Sequence, residues 1–143
     1  MMKKFGFNRT ERLKSSKVIG RMFKDGISFG MYPLRLVFLK MDEPRSEVPV
    51  QFTVSVPKKS FKSAVARNKV KRKIREAWRL NKNWLYHKME KTEGQYAFMV
   101  IYIAKENLPF EEINKAMRGV NNRFVKKNIY PKSNPSQAGK PLS

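Results

Sequence analysis

The chain has 143 residues, which is enough for one domain with a single hydrophobic core and too few for two independent cores. Its 32 Lys and Arg outnumber 11 Asp and Glu, and the formal net charge of +21 predicts a polyanionic partner, most commonly nucleic acid rather than a membrane or an acidic protein. A hydrophobic fraction of 41% excludes a basic chain that is disordered over its whole length. The lack of cysteine excludes disulfides, cysteine-ligated zinc and thiol nucleophiles.

Residues 1–14 indicate a basic N-terminal arm of irregular structure. No apolar run follows Lys3 and Lys4, so we expect no secretory signal peptide, and no segment has the apolar length of a membrane span. Together with the lack of cysteine, these features favour a cytoplasmic location.

A helix and two or three strands are expected next. Ser15 or Ser16 can cap the helix, and Gly26 ends it. Residues 34–39 are rich in strand-forming side chains. Residues 51–56 alternate strictly between polar and apolar side chains, which predicts a strand with one buried and one open face.

The second half predicts two helices on either side of a buried strand. A basic helix runs from about residue 64 to residue 80 and is followed by a looser stretch. The unbroken apolar run at 96–103 is typical of a central strand, parallel to the alternating strand if both lie in one sheet. A last helix begins near Pro109, and residues 129–143 are expected to form a disordered tail.

This element order predicts an α+β fold. We expect a single-domain α/β sandwich at residues 15–128, with helices packed on a small mixed sheet of about four strands. A helix that joins two parallel strands forms a right-handed crossover in nearly all proteins, so a right-handed crossover is the general expectation.

The basic helix carries the strongest functional signal. Its apolar stripe is Ala66, Val70, Ile74 and Ala77, with Trp78 at the edge. On the opposite side lie Asn68, Arg72, Arg75 and Arg79, with Arg67, Lys69, Lys71 and Lys73 along the two margins. Glu76 alone cannot pair so many cations, as an ordinary solvated face would. The planar guanidinium group of arginine can hold two phosphate oxygens at once, and the asparagine amide can both donate to and accept from a base edge. The pattern therefore predicts an RNA-binding face.

The remaining polar residues predict neither a catalytic nor a metal site. His87 is the only histidine and has no acid at helical spacing. The neighbouring acids at 42–43 and at 111–112 suit a turn and a helix start. Lys58 and Lys59 add positive charge where the alternating strand ends.

Residues 55–59 and 64–77 resemble the signature of the bacterial ribonuclease P protein component. The positions that match it are Arg67, Asn68, Lys71, Arg72 and Arg75. Lys69 stands where arginine is usual in that family.

The similarity extends to residues 12–14 and 23–26 and to the element order, so it covers residues 9 to about 127. Two features depart from the family pattern. Residues 60–63 replace a loop that commonly contains glycine, and Ile19 stands where an aromatic residue is frequent.

The resemblance implies a ribonucleoprotein endoribonuclease that removes the 5′ leader of precursor tRNA. Its catalytic groups and its Mg²⁺ would belong mainly to a large partner RNA, with no catalytic residue in this chain and no obligate protein partner. The family also has a ribosomal protein S5 domain 2-like fold with a left-handed crossover, which replaces the right-handed expectation.

The resemblance and the residue pattern together give two groups of candidate RNA contacts. The RNA-binding group is Lys58, Lys59, Arg67, Asn68, Lys69, Lys71, Arg72, Arg75 and Arg79. Within it, the resemblance implies that Lys59 helps form the leader cleft and that Arg67, Asn68, Lys69, Lys71, Arg72 and Arg75 face the catalytic RNA. The group lining a cleft for the single-stranded leader is Phe23, Phe38, Gln51, Thr53 and Ser55. An open sheet face beside a basic helix suits such a strand, although aromatic residues at this spacing are core residues by default.

Three other classes of protein remain as alternatives. A ribosomal or other structural RNA-binding protein would share the charge and the design. A stand-alone nuclease would need clustered acids or a usable histidine. A protein that lies on a membrane surface would need a broader apolar helix face.

Overall fold

The computed structural model describes residues 11–44 and 46–130. The expectations for residues 1–10 and for the tail at 131–143 lie outside this range. The elements are α1 (Ser16–Asp25), β1 (Ile27–Met31), β2 (Leu34–Lys40), β3 (Val50–Ser55), α2 (Ala64–Lys88), β4 (Tyr96–Tyr102) and α3 (Phe110–Phe124), which continues into a π-helical turn (Val125–Ile129). The predicted α+β element order is confirmed.

The four strands form one mixed sheet in the order β1-β2-β4-β3. The β1–β2 and β2–β4 pairs are antiparallel, whereas β3 and β4 are parallel, as predicted. The pairing puts Phe98 beside both Phe38 and Phe52, so alternate residues of three strands share one face.

Helices α2 and α3 cover that face and enclose the main core. Its sheet residues include Leu34, Leu36, Phe38, Phe52, Phe98 and Val100, and its helix residues include Val70, Ile74, Trp78, Ile113, Met117 and Phe124. The Trp78 ring stacks on Phe52 with their centroids 4.4 Å apart and their planes 6° from parallel. Trp78 is thus at the centre of the core, not at the edge of the stripe as predicted.

Helix α1 covers part of the opposite face with a smaller cluster. Its buried members are Leu13, Met22, Val37, Met41, Ala97 and Met99. The Ser15 side chain caps α1 by accepting a hydrogen bond from the Val18 N–H at 3.2 Å. Gly26 ends the helix, as predicted, but with a φ of −69°. Space is the constraint there, because an added Cβ would overlap the Met22 carbonyl oxygen and lie 2.8 Å from Val37 Cγ1.

The predicted arm is packed against the sheet from residue 11 onward. Arg12 forms a parallel bridge with Phe52, and the Leu13 N–H donates to the Phe52 carbonyl at 3.0 Å. At the other end, the Tyr130 hydroxyl donates to the Lys88 carbonyl at 2.9 Å. The predicted boundaries at residues 15 and 128 therefore fall inside the packed chain.

Helix α2 runs to Lys88, well beyond its predicted end near residue 80. The polar stretch after Leu80 looked like the start of a loop, but Lys82 lies on the buried side of the helix and is only 2% exposed. Its Nζ lies 2.6 Å from both carboxylate oxygens of Glu11. The Tyr86 hydroxyl donates to the same carboxylate at 2.8 Å, and burial followed by the charge of Glu11 raises the tyrosine pKa, so the hydroxyl keeps its proton.

This buried pair generates a stability prediction. Lys82→Met leaves the Glu11 carboxylate without its ammonium partner, and breaking a buried ion pair typically costs about 3–5 kcal/mol of unfolding free energy. Replacing both partners with Glu11→Leu and Lys82→Met should recover most of that loss, because no unpaired charge then remains buried. Urea unfolding followed by circular dichroism measures the parent chain and both variants. If Lys82→Met is as stable as the parent chain, the assignment of a buried ion pair between Glu11 and Lys82 is contradicted.

Candidate nucleic-acid interface

The solvent face of α2 carries a shallow depression of about 450 Å³. Its lining residues are Asn68, Arg72, Arg75, Glu76 and Arg79. On the opposite side of the helix, Val70, Ile74 and Ala77 are fully buried. The structure therefore brings the predicted row of one asparagine and three arginines together on one surface, with its direction set by the buried stripe.

Glu76, the acid in this depression, is paired with Arg79. Arg79 Nε donates to Glu76 Oε1 at 3.0 Å, and Nη2 donates to Oε2. This hydrogen bonding, with the positive charge of Arg79, lowers the pKa of Glu76 and keeps the pair ionised. Because Glu76 offsets one arginine, Arg72 and Arg75 leave the depression with an excess of positive charge.

Arg67 supports the loop that precedes α2. Its Nη1 donates to the carbonyl oxygens of Phe61 at 2.8 Å and Lys62 at 3.0 Å. The Phe61 ring packs beside Tyr102 in the core, with centroids 5.9 Å apart. Ser63 caps the helix by accepting a hydrogen bond from the Ala66 N–H at 3.2 Å. The residues that depart from the family pattern therefore close into a defined turn.

The other predicted cations occupy different surroundings. Lys58 and Lys59 are exposed in the turn after β3, Lys69 is exposed near the start of α2, and Lys71 is half-buried. Lys73 holds the loop before α3, because its Nζ donates to Asn107 Oδ1 at 2.8 Å and to the Leu108 carbonyl at 2.9 Å.

Arg12 and Lys14 were missing from the predicted site. They line a pocket of about 320 Å³ between the N-terminal segment, β3 and α2, and Arg75 lines the same pocket. Burial lowers the pKa of Arg75, and the neighbouring charge of Arg12 lowers it further. Cations held this close together favour an anion such as phosphate. Both residues are basic and visible in the sequence, but no local pattern predicts the bridge from Arg12 to β3 that brings them to this pocket.

The α1 side of the sheet provides the open face that was predicted beside the basic helix. Thr53 and Ser55 are half-buried there. The register puts Ser55 next to Ile101 and Ile101 next to Arg35, so these three side chains form a row across the sheet. Phe23 on α1 is 71% exposed.

Two predicted cleft residues are not exposed on this open face. Phe38 is 4% exposed and lies on the α2–α3 side of the sheet, with its ring centroid 5.0 Å from that of Phe124. Its placement in the leader cleft was wrong, because Phe38 lies on the same side of the strand as the buried Leu34 and Leu36. The exposed Arg35 lies on the other side, so the sequence already contained this signal. Gln51 lies on the α1 side but is buried.

His87 has a nearby acid, contrary to the prediction. Its Nδ1 lies 3.3 Å from Glu90 Oε2, and both side chains are mostly exposed. Among the described residues, no three histidine or acidic side chains gather in an arrangement that could hold a metal ion. Within the same part of the chain, no helix has the length and apolar character needed to cross a membrane.

Comparison with known proteins gives a consistent family. Residues 7–125 match the family described as Ribonuclease P. The Ribonuclease P protein component of Porphyromonas gingivalis (strain ATCC 33277) is 38% identical over 115 residues, which cover 80% of this chain and 82% of the relative. The corresponding protein of Clostridioides difficile (strain 630) is 33% identical and covers 80% and 91%.

Solved structures agree with these relatives. The RNase P protein from Thermotoga maritima superposes with a TM-score of 0.58 at 25% identity, covering 79% of this chain and 96% of that one. The Staphylococcus aureus RNase P protein has the same fold, with a TM-score of 0.58 at 22% identity and coverage of 79% and 94%. From the family match and the two curated relatives, this chain belongs to the ribonuclease P protein component family.

Proposed function

We propose that this chain is the protein subunit of ribonuclease P, which binds the catalytic RNA and the 5′ leader of precursor tRNA and assists removal of the leader in the cytoplasm. Family membership supports the overall role. The observation that carries the RNA contact is the arginine-lined depression on α2, where Asn68 lies beside Arg72 and Arg75.

The proposed contribution of the protein is electrostatic and positional. The catalytic RNA and its substrate are both polyanions, so they repel each other unless cations lie between them. The chain has a net charge of +21, and its described part holds many of these cations in fixed positions, including those of α2. In this division of labour the partner RNA supplies the catalytic groups and holds most of the Mg²⁺.

Two surfaces would hold different parts of the RNA. The α2 depression and the adjoining pocket with Arg12 and Lys14 suit phosphates of a structured RNA, because arginine forks bind two phosphate oxygens at once. The α1 side of the sheet suits a single-stranded leader. There, Phe23 offers a face for base stacking, while Thr53 and Ser55 offer hydroxyl groups. A ribosomal or other structural RNA-binding role has no specific observation in its favour.

The function is tested by cleavage of precursor tRNA by a cognate ribonuclease P RNA at low Mg²⁺, with and without this protein. We expect the protein to raise the cleavage rate, because its cations replace part of the screening that high Mg²⁺ otherwise provides. The stimulation should shrink as Mg²⁺ is increased. Equal rates with and without the protein at low Mg²⁺ would overturn the proposed function.

The RNA-binding face is tested with the double variant Arg72→Ala and Arg75→Ala. If about six cations meet phosphates, the affinity of the parent chain for the RNA should fall as roughly the fourth to fifth power of salt concentration. Each lost contact should reduce that exponent by about 0.7–0.9 and weaken binding at physiological salt. Filter binding over a salt series measures both effects.

The matched control for this experiment is the double variant Lys91→Ala and Lys105→Ala. It removes the same charge from two exposed positions outside the depression. We expect a smaller loss of affinity from the control, with unchanged circular dichroism in both variants. An equal loss in both variants would mean that total charge, and not the α2 face, determines binding.

A further inference from the structure

A separate pocket lies on the seam between α2 and α3. It has a volume of about 340 Å³, and its lining residues are Asn81, Trp84, Arg118, Asn121 and Asn122. None of these residues lines the α2 depression or the pocket beside β3. The pocket is therefore distinct from the surfaces assigned above to the RNA.

Trp84 provides a flat aromatic wall that is open to solvent. Its side chain is 42% exposed, in contrast to the fully buried Trp78 on the same helix. Lys88 Nζ lies 5.6 Å from the Trp84 ring centroid, within the range of a cation–π contact. An exposed aromatic ring beside a cation is the arrangement on which proteins stack single bases while the cation holds a phosphate.

Asn121 holds an unpaired hydrogen-bonding amide behind the wall of the same pocket, with both amide atoms closed to solvent. The residue is only 1% exposed, and neither its side-chain nitrogen nor its oxygen has a hydrogen-bond partner. A buried polar group without a partner costs about 1–3 kcal/mol, so native structures keep few of them. The neighbouring Asn81 amide does not supply the missing bond with its nitrogen, because that nitrogen donates to the Ala77 carbonyl and to Asn114 Oδ1.

The charge of the pocket also favours a nucleotide. Arg118 is a cation, and the other described residues that line the pocket are neutral, with no acid among them. A phosphate group beside the ring would therefore meet attraction from Arg118 and Lys88. Rotation of the Asn121 side chain into the pocket would let a planar ligand with a donor and an acceptor on one edge satisfy the amide, as adenine does with asparagine amides.

We propose that this pocket binds one unpaired nucleobase of the RNA partner. The base stacks on Trp84, and its phosphate lies near Arg118. The Asn121 amide turns into the pocket to hydrogen-bond the edge of the base, which gives the unpaired amide its missing partners. This inference rests on the proposed function, because it assumes an RNA partner, and it adds a base contact on the α2–α3 seam.

Tryptophan fluorescence of the full chain tests the stacking step. We would titrate the protein with a short oligoadenylate at moderate salt, where non-specific phosphate binding is weakened. Stacking should quench the emission of Trp84, while the buried Trp78 should not respond. Trp84→Phe leaves Trp78 as the only reporter, so its emission should stay constant. Quenching that persists unchanged in Trp84→Phe, or its absence in the parent chain, would overturn the proposal.

The affinity for the same oligoadenylate is compared between Trp84→Ala and Leu80→Ala. Leu80 is exposed to the same degree on the same helix but does not line the pocket. Loss of one stacked base, worth about 1–3 kcal/mol, should weaken binding by about fivefold to 150-fold in Trp84→Ala. Leu80→Ala should bind like the parent chain, and Trp84→Phe should retain part of the affinity. Equal affinities in the two alanine variants would contradict the proposal.

Asn121→Leu separates binding from a structural role, because leucine has a similar size and removes the unsatisfied amide. We expect its thermal unfolding midpoint to rise while its affinity for oligoadenylate falls. A lower midpoint with unchanged affinity would show that the amide serves the fold, and the proposal would fail. If the chain stimulates precursor tRNA cleavage while these pocket variants bind normally, the pocket assignment fails and the proposed function stands.

Discussion

The stacking of Trp78 on Phe52 fixes the rotation of α2 about its axis, and the recognition surface depends on that rotation. The Trp78 ring is fully buried and also lies 5.9 Å from the Phe98 centroid. A shift of one residue in the helix would turn it by about 100° and carry cations toward the core. With Trp78 held at the sheet, Arg72 and Arg75 must face outward. The Trp78 indole N–H has no hydrogen-bond partner, a cost that the burial of its ring has to offset.

The buried pair of Glu11 and Lys82 fixes the position of the N-terminal segment relative to α2. A buried ion pair contributes little net stability because desolvation cancels most of the attraction, but it is costly to break and so favours a single arrangement. Here it ties the segment to α2 and keeps Arg12 close to Arg75. Those two cations repel each other, so their proximity requires other contacts to hold them together. The Leu13 hydrogen bond to Phe52 and the burial of Leu13 provide such contacts.

Local patterns in the sequence predicted most of the elements. Helical periodicity predicted the buried side of α2, alternation predicted β3, and the apolar run predicted β4 as a central strand paired with strands on both sides. Two of the failures share one cause, which is a contact between segments remote in sequence. The end of α2 depends on the bond from Lys82 to Glu11, and the site residue Arg12 depends on a bridge to Phe52. The wrong placement of Phe38 is a different, local error, because Arg35 lies three residues away in the same strand and its polar side chain already marks the opposite face.

The cations of α2 look equivalent in the sequence, but the structure divides them by what their nitrogens already contact. Arg67 and Lys73 donate to backbone carbonyls and hold the loops before α2 and α3. Arg72 and Arg75 line the open depression instead. Loss of RNA affinity after a substitution at Arg67 would therefore report first on the loop, because its carbonyl oxygens would lose their donor. The substitutions that report on RNA contact are those in the depression, where removing the side chain leaves the backbone hydrogen bonds of the fold in place.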